Sequence, residues 1–192
     1  MDRPRESIIM NDFLEIVNKT FSFEGGFQAD PDDSANYYNG ILIGTNRGIS
    51  AQAYGTYIGR RPTVEEMKAI DVETARAVYK KLFWDRLLLD QINSKGLKWI
   101  MFQYYIGDGN VIHLRRAIDG YLASVKGPSI SKGNQAFNKS LIELINKQDA
   151  ESLFNYLKNY RFERFEKIVQ AYPSKAKFLK GWQNRLNKIT FK

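Results

Sequence analysis

Leu97-Lys98-Trp99-Ile100-Met101-Phe102-Gln103-Tyr104-Tyr105-Ile106 is the stretch whose reading decides the fold class. It holds a single charge and a single amide, so a helix built from it has too little polar surface to lie on the outside of a small protein. It therefore reads as a central helix surrounded by others. The run is too short to cross a bilayer, and Lys98 and Gln103 interrupt it. Gly107-Asp108-Gly109-Asn110 ends it.

Working outward, helical periodicity continues on both sides. Thr63 followed by Glu66 forms a capping-box pattern, and Asp71 caps a helix whose Val72, Ala75, Val78, Tyr79 and Leu82 share one side before it ends near Phe83-Trp84-Asp85. A further helix runs from about Val111 to Leu122, and a loop extends from Lys126 to Asn134. Phe137, Leu141, Ile142, Leu144 and Ile145 line another inward face. Asp149 caps a long helix that Tyr172-Pro173 breaks, and Phe178, Leu179, Trp182, Leu186 and Ile189 mark a last one. Toward the N-terminus, Ile8, Ile9, Phe13, Ile16 and Val17 predict an amphipathic helix to about Thr20. Ile41-Leu42-Ile43, between Gly40 and Gly44, is the best strand candidate and is expected to pair with Gly48-Ile49-Ser50. The expected fold is mainly α, with a small β-hairpin near the N-terminal third.

The composition is that of a folded protein: 192 residues, 43% hydrophobic and 26% charged. No cysteine is present, which excludes disulfides and thiolate chemistry. The formal charge of +8 is concentrated at one end, since residues 151–192 carry ten Lys or Arg against three acids. Such a segment suits a polyanionic partner. The polar opening Met1-Asp2-Arg3-Pro4-Arg5-Glu6 has no signal-peptide pattern, so synthesis and initial residence in the cytoplasm are expected.

Phe21-Ser22-Phe23-Glu24-Gly25-Gly26-Phe27 sets a carboxyl group at a helix exit among three aromatic rings. Removal from water raises a carboxyl pKa toward neutrality, and a proton-donating acid needs that property. Asp30-Pro31-Asp32-Asp33 offers three more carboxylates on a turn that folds back near Glu24. Each could serve as a second catalytic group or a substrate contact, or could accept turn hydrogen bonds. The spacing lacks the glycine and closing glutamate of a calcium-binding EF-hand. The Thr45 hydroxyl could hold a water or a sugar hydroxyl, or tie off a hairpin. Tyr54 and Tyr104 are expected to face a groove, as sugar platforms. His113 is the sole histidine, with no second imidazole or thiol to complete a metal site, and the glycine pairs lack a phosphate-loop lysine or a dinucleotide fingerprint. No metal or cofactor is expected.

Two motifs carry a resemblance. Phe23-Glu24-Gly25-Gly26-Phe27 with Asp30-Pro31-Asp32-Asp33, followed by Gly44-Thr45-Asn46-Arg47-Gly48-Ile49-Ser50, resembles the N-acetylmuramidases of glycoside hydrolase family 108. The tail, with Tyr160-Arg161-Phe162, Tyr172-Pro173 and Phe178-Leu179-Lys180-Gly181-Trp182-Gln183-Asn184-Arg185, is similar to the predicted peptidoglycan-binding region accompanying these enzymes. The resemblance implies a lysozyme-like fold over residues 1–126, a helical peptidoglycan-binding region over residues 127–192 packed with it as one unit, and hydrolysis of the β-1,4 bond between N-acetylmuramic acid and N-acetylglucosamine. It makes Glu24 the general acid, with Asp33 and Thr45 managing the water. Asp30, Asp32, Tyr54, Gln103 and Tyr104 are the expected substrate contacts, Gln103 standing where the family often carries an aspartate. Between Asp33 and Thr45 a longer segment, Ser34 to Ile43, replaces the family's compact double-glycine turn. The expected partner is the glycan strand, reached by a monomer through a holin or another export system, without membrane insertion or nucleic-acid binding. The competing expectation is a non-catalytic peptidoglycan-binding or secretion-associated protein of the same fold.

Overall fold

The computed structural model describes residues 3–23, 25–130 and 136–192, with side chains from residue 11 onward. Glu24, the Ile8 and Ile9 side chains, and residues 131–135 of the expected loop lie outside the described residues. The chain divides into two compact units, residues 1–85 and 86–192.

In the first unit, helix α1 (Arg3–Phe21) buries Phe13, Ile16 and Val17. Four two-residue strands follow: β1 (Tyr37–Tyr38), β2 (Ile41–Leu42), β3 (Thr45–Asn46) and β4 (Ile49–Ser50). The pairing differs from the sequence expectation. Ile41–Leu42 pairs antiparallel with Tyr37–Tyr38, and Ile49–Ser50 pairs with Thr45–Asn46, giving two hairpins in succession. Each turns through two residues at positive φ, Asn39–Gly40 and Arg47–Gly48, which matches the twist of a tight hairpin. The long segment before Thr45 is thus a hairpin of its own, and its Ile41 and Leu42 are 46% and 39% exposed.

Helices α2 (Ala51–Ile58), α3 (Val64–Lys68) and α4 (Val72–Tyr79) complete this unit, the last continuing into a π turn at Lys80–Trp84. The capping box at Thr63 and Glu66 forms in full, and Asp71 accepts the Thr74 N–H. The core gathers Phe13 against Trp84, ring centroids 5.1 Å apart and edge to face, together with Met67, Val78 and Tyr79.

In the second unit, α5 (Lys95–Asp108) has every residue from Gly96 to Tyr105 buried, as the central helix predicted from its composition. Around it stand α6 (Ile112–Ser124), α7 (Lys139–Asn146), α8 (Ala150–Ala171) and α9 (Ala176–Asn187). Asp149 caps α8, and the chain leaves that helix at Tyr172-Pro173. Residues on either side of position 126 pack together here, since α8 lies against both α5 and α6. No helix among the described residues is long and apolar enough to cross a membrane.

Candidate active site

The candidate site is built where α1 ends. The helix ends at Phe21, and in the turn that follows the Phe23 N–H donates to the Thr20 carbonyl at 2.9 Å. Gly25 and Gly26 are exposed, with open space on their Cβ sides. The backbone then runs antiparallel to β3: Gln28 and Thr45 exchange two N–H···O bonds, both 2.8 Å. Two segments 17 residues apart in sequence are thereby locked side by side.

Two amides organise the aspartate turn. Gln28 Oε1 accepts from the Asp30 N–H and from Asn36 Nδ2, each at 2.8 Å, while Gln28 Nε2 donates to Asp33 Oδ2 at 3.3 Å. Asn36 is fully buried, and its Nδ2 also donates to the Asp30 carbonyl at 2.8 Å. The Asn36 carbonyl accepts the N–H groups of Ile43 and Gly44, both at 2.9 Å, which joins the turn to the start of β3. Asn36 Oδ1 is buried with no hydrogen-bond partner among the described residues. Neither Gln28 nor Asn36 was a sequence candidate, because an amide in a polar loop gives no sign of the partners it will meet.

The carboxylates divide by their partners. Asp30 Oδ1 accepts the Asp32 N–H at 2.9 Å, a structural bond inside the turn. Asp33 Oδ1 accepts the Ala35 N–H at 3.0 Å and starts the short helical turn at Ser34–Asn36. Asp32 is exposed. Thr45 is half-buried, and its hydroxyl reaches the Ala35 carbonyl at only 3.4 Å, a weak bond. The turn thus assembles Asp30, Asp33 and Thr45 into one hydrogen-bonded group through Gln28, Asn36 and Ala35.

Gly44 makes this junction possible. Its φ is +111°, and a Cβ there would stand 2.6 Å from the Phe27 ring and 2.8 Å from the Gln28 carbonyl oxygen. Gly44→Ala is expected to cost about 2–3 kcal/mol, combining backbone strain with overpacking. Urea unfolding checks this, and a loss below about 0.5 kcal/mol would remove the junction from the account.

The remaining candidates sit on helices α2 and α5. Tyr54 is half-buried on α2 and stacks on Tyr57, centroids 6.3 Å apart. Gln103, in the second unit, is buried and lines a cavity there. Tyr104 corrects the sequence expectation. It is fully buried under the Arg161 guanidinium, 4.3 Å from its ring, so it offers no face to a sugar. Burial also pushes its phenol pKa well up. The physical reason is the position of Tyr104 on the central helix, where a cation arriving from α8 takes the ring face. Phe21 packs against Tyr79, centroids 5.8 Å apart, and Phe27 lies beneath Lys68, whose Nζ is 5.3 Å from the ring centroid. Among the described residues no group of three His, Asp or Glu side chains is placed to hold a metal ion.

Residues 17–109 match the family profile described as Glycosyl hydrolase 108. That span contains Glu24, the aspartate turn, Thr45 and the whole of α5. No curated protein matches the chain. Among solved structures, the chain is similar in fold to Brucella abortus SagA, with a TM-score of 0.72 and 20% sequence identity over 94% of this chain and 92% of that one.

Proposed function

We propose that this chain, whose residues 17–109 match the glycosyl hydrolase 108 profile, cleaves the β-1,4 bond between N-acetylmuramic acid and N-acetylglucosamine in peptidoglycan, with Glu24 as general acid. The observation that carries the reading is that the family match spans Glu24, the aspartate turn and Thr45 together.

In this mechanism Glu24, between aromatic residues at the exit of α1, gives its proton to the bridging oxygen as the bond breaks. The second role falls to Asp33: each of the two carboxylates closes a turn with one oxygen, Asp30 on Asp32 and Asp33 on Ala35, and the second oxygen of Asp33 is oriented by the Gln28 side chain. With the Thr45 hydroxyl nearby, Asp33 orients the attacking water or steadies the positive charge on the sugar. The basic residues 151–192 hold the protein near an anionic wall, as part of a wall-binding region over residues 127–192. The protein works as a monomer after export by a holin or another system.

The test is the chemistry of the new chain ends. Purified peptidoglycan is digested with the full-length protein, reduced with borohydride and examined by mass spectrometry. Reduced N-acetylmuramic acid ends are expected. Reduced N-acetylglucosamine ends would assign the other glycosidic bond, and binding to the wall with no new reducing ends would identify a non-catalytic wall-binding protein.

A further inference from the structure

A cavity of about 170 Å³ lies within the second unit, walled by the C-terminal end of α5, by α8, and by α9 with the turn after it. Its polar side is made by Asp108, Arg161, Arg185 and Gln103, and its apolar side includes Phe165 and Trp182. Phe165 is buried, whereas Trp182 and Arg185 are half-buried, so the space communicates with solvent.

The charges there do not balance. Asp108, with a side chain 6% exposed, is 3.1 Å from Arg161 Nη1 and 3.4 Å from Arg164 Nε. One carboxylate therefore serves two guanidinium groups, one of them only 7% exposed. Arg161 Nη1 donates to Asp108 and to the Tyr104 carbonyl, while Nη2 makes no hydrogen bond among the described residues. Arg185 adds a further cation to the wall. A buried cation without a full counter-charge is costly, and a guanidinium beside an open cavity is a ready partner for a planar anion. The same surplus acts on His113, whose pKa is lowered by burial first and then by Arg164.

Size and composition narrow the ligand. A cavity of about 150 Å³ accepts a benzene-sized molecule, so this one holds roughly one amino-acid residue. The Asp108 carboxylate in the wall disfavours a dianion such as phosphate, and the aromatic side favours an apolar group next to the charge. We propose that this cavity is a carboxylate-binding subsite that takes the free C-terminal carboxylate of a small terminal residue, as on a peptidoglycan stem peptide. The stem-peptide assignment rests on the peptidoglycan reading, but the carboxylate chemistry does not.

The experiment uses the full-length protein and isothermal titration with N-acetyl-D-alanine, its neutral amide and inorganic phosphate. The acid is expected to bind in the millimolar range, at least about tenfold tighter than the amide or phosphate. Arg185→Gln is expected to weaken the acid at least about fivefold, and Ile168→Trp, which fills the space, to abolish binding. Equal binding of acid and amide overturns the proposal, as does no heat with the acid or unchanged affinity in a folded Ile168→Trp variant. Glu24→Gln is expected to bind the acid like wild type. Cleavage of glycan strands is measured separately, so loss of either reading leaves the other standing.

Discussion

Glu24→Gln is expected to lower kcat on peptidoglycan by roughly a hundredfold to ten-thousandfold, the range supplied by a positioned general acid. Glutamine matches glutamate in shape and hydrogen-bonding reach, but its amide has no proton of useful acidity. The departing sugar oxygen must then leave as an alkoxide or take its proton from water. Because the lost interaction is made in the transition state, KM should change much less than kcat. The thermal midpoint should stay within about 2 °C of wild type, as an isosteric change keeps the size and shape of the side chain and is expected to alter stability by no more than about 0.5 kcal/mol. Glu24→Asp is the complementary control, since withdrawing the carboxyl by one methylene keeps the acid and spoils its reach. Initial rates of reducing-end release, with circular dichroism to establish folding, decide the matter. A folded Glu24→Gln enzyme keeping more than about a tenth of wild-type kcat would remove Glu24 from the proton-transfer role.

Asp108→Ala is expected to have the largest effect on stability, about 3–5 kcal/mol. Asp108 and Arg161 are each almost wholly buried, and the same carboxylate lies 3.4 Å from Arg164. Removing it takes from two guanidinium groups the carboxylate that both are paired with. The Asp108→Asn variant separates charge from shape. It keeps an oxygen that can accept from Arg161 and should fall between wild type and Asp108→Ala. Replacing Arg161 by Met in the Asp108→Ala background should recover part of the loss, because an apolar side chain of similar length removes the stranded charge. Urea denaturation followed at two wavelengths measures all four proteins. If Asp108→Ala costs less than about 1 kcal/mol, the ion pair is not what holds α8 to the end of α5.

Gly107 supports the same arrangement by being small. A Cβ there would fall well inside contact distance of the Arg161 guanidinium, so the cation reaches Asp108 only because position 107 has no side chain. The sequence presents Gly107 as a helix stop, yet α5 runs through it to Asp108 and ends on Gly109 at φ +66°. One glycine punctuates the helix and the other makes room for α8.

The aspartate turn was readable as a turn, but its wiring was not. Asp33 at the head of a short helical turn and Asp71 and Asp149 at helix starts follow from side chains that bond N–H groups two or three residues on. Gln28 and Asn36, which couple Asp30, Asp33 and Thr45, act across longer spans and carry no local pattern. The strand pairing was misread for a related reason. The short apolar run at Ile41 suggested a partner beyond Gly44, whereas the Asn39–Gly40 turn directly before it closes a hairpin with Tyr37–Tyr38.

What the amino-acid order determined alone is the set of elements: a buried central helix with one charge in ten residues, capped helices around it, the break at Tyr172-Pro173 and short turns before residue 51. These depend on periodicity and on hydrogen bonds that close within about four residues. The tertiary structure decided which side chains meet: Arg161 over Tyr104 and against Asp108, 53 residues away, and Thr45 beside Gln28. Burial and charge pairing act through space, so their partners are set by packing and not by neighbourhood along the chain.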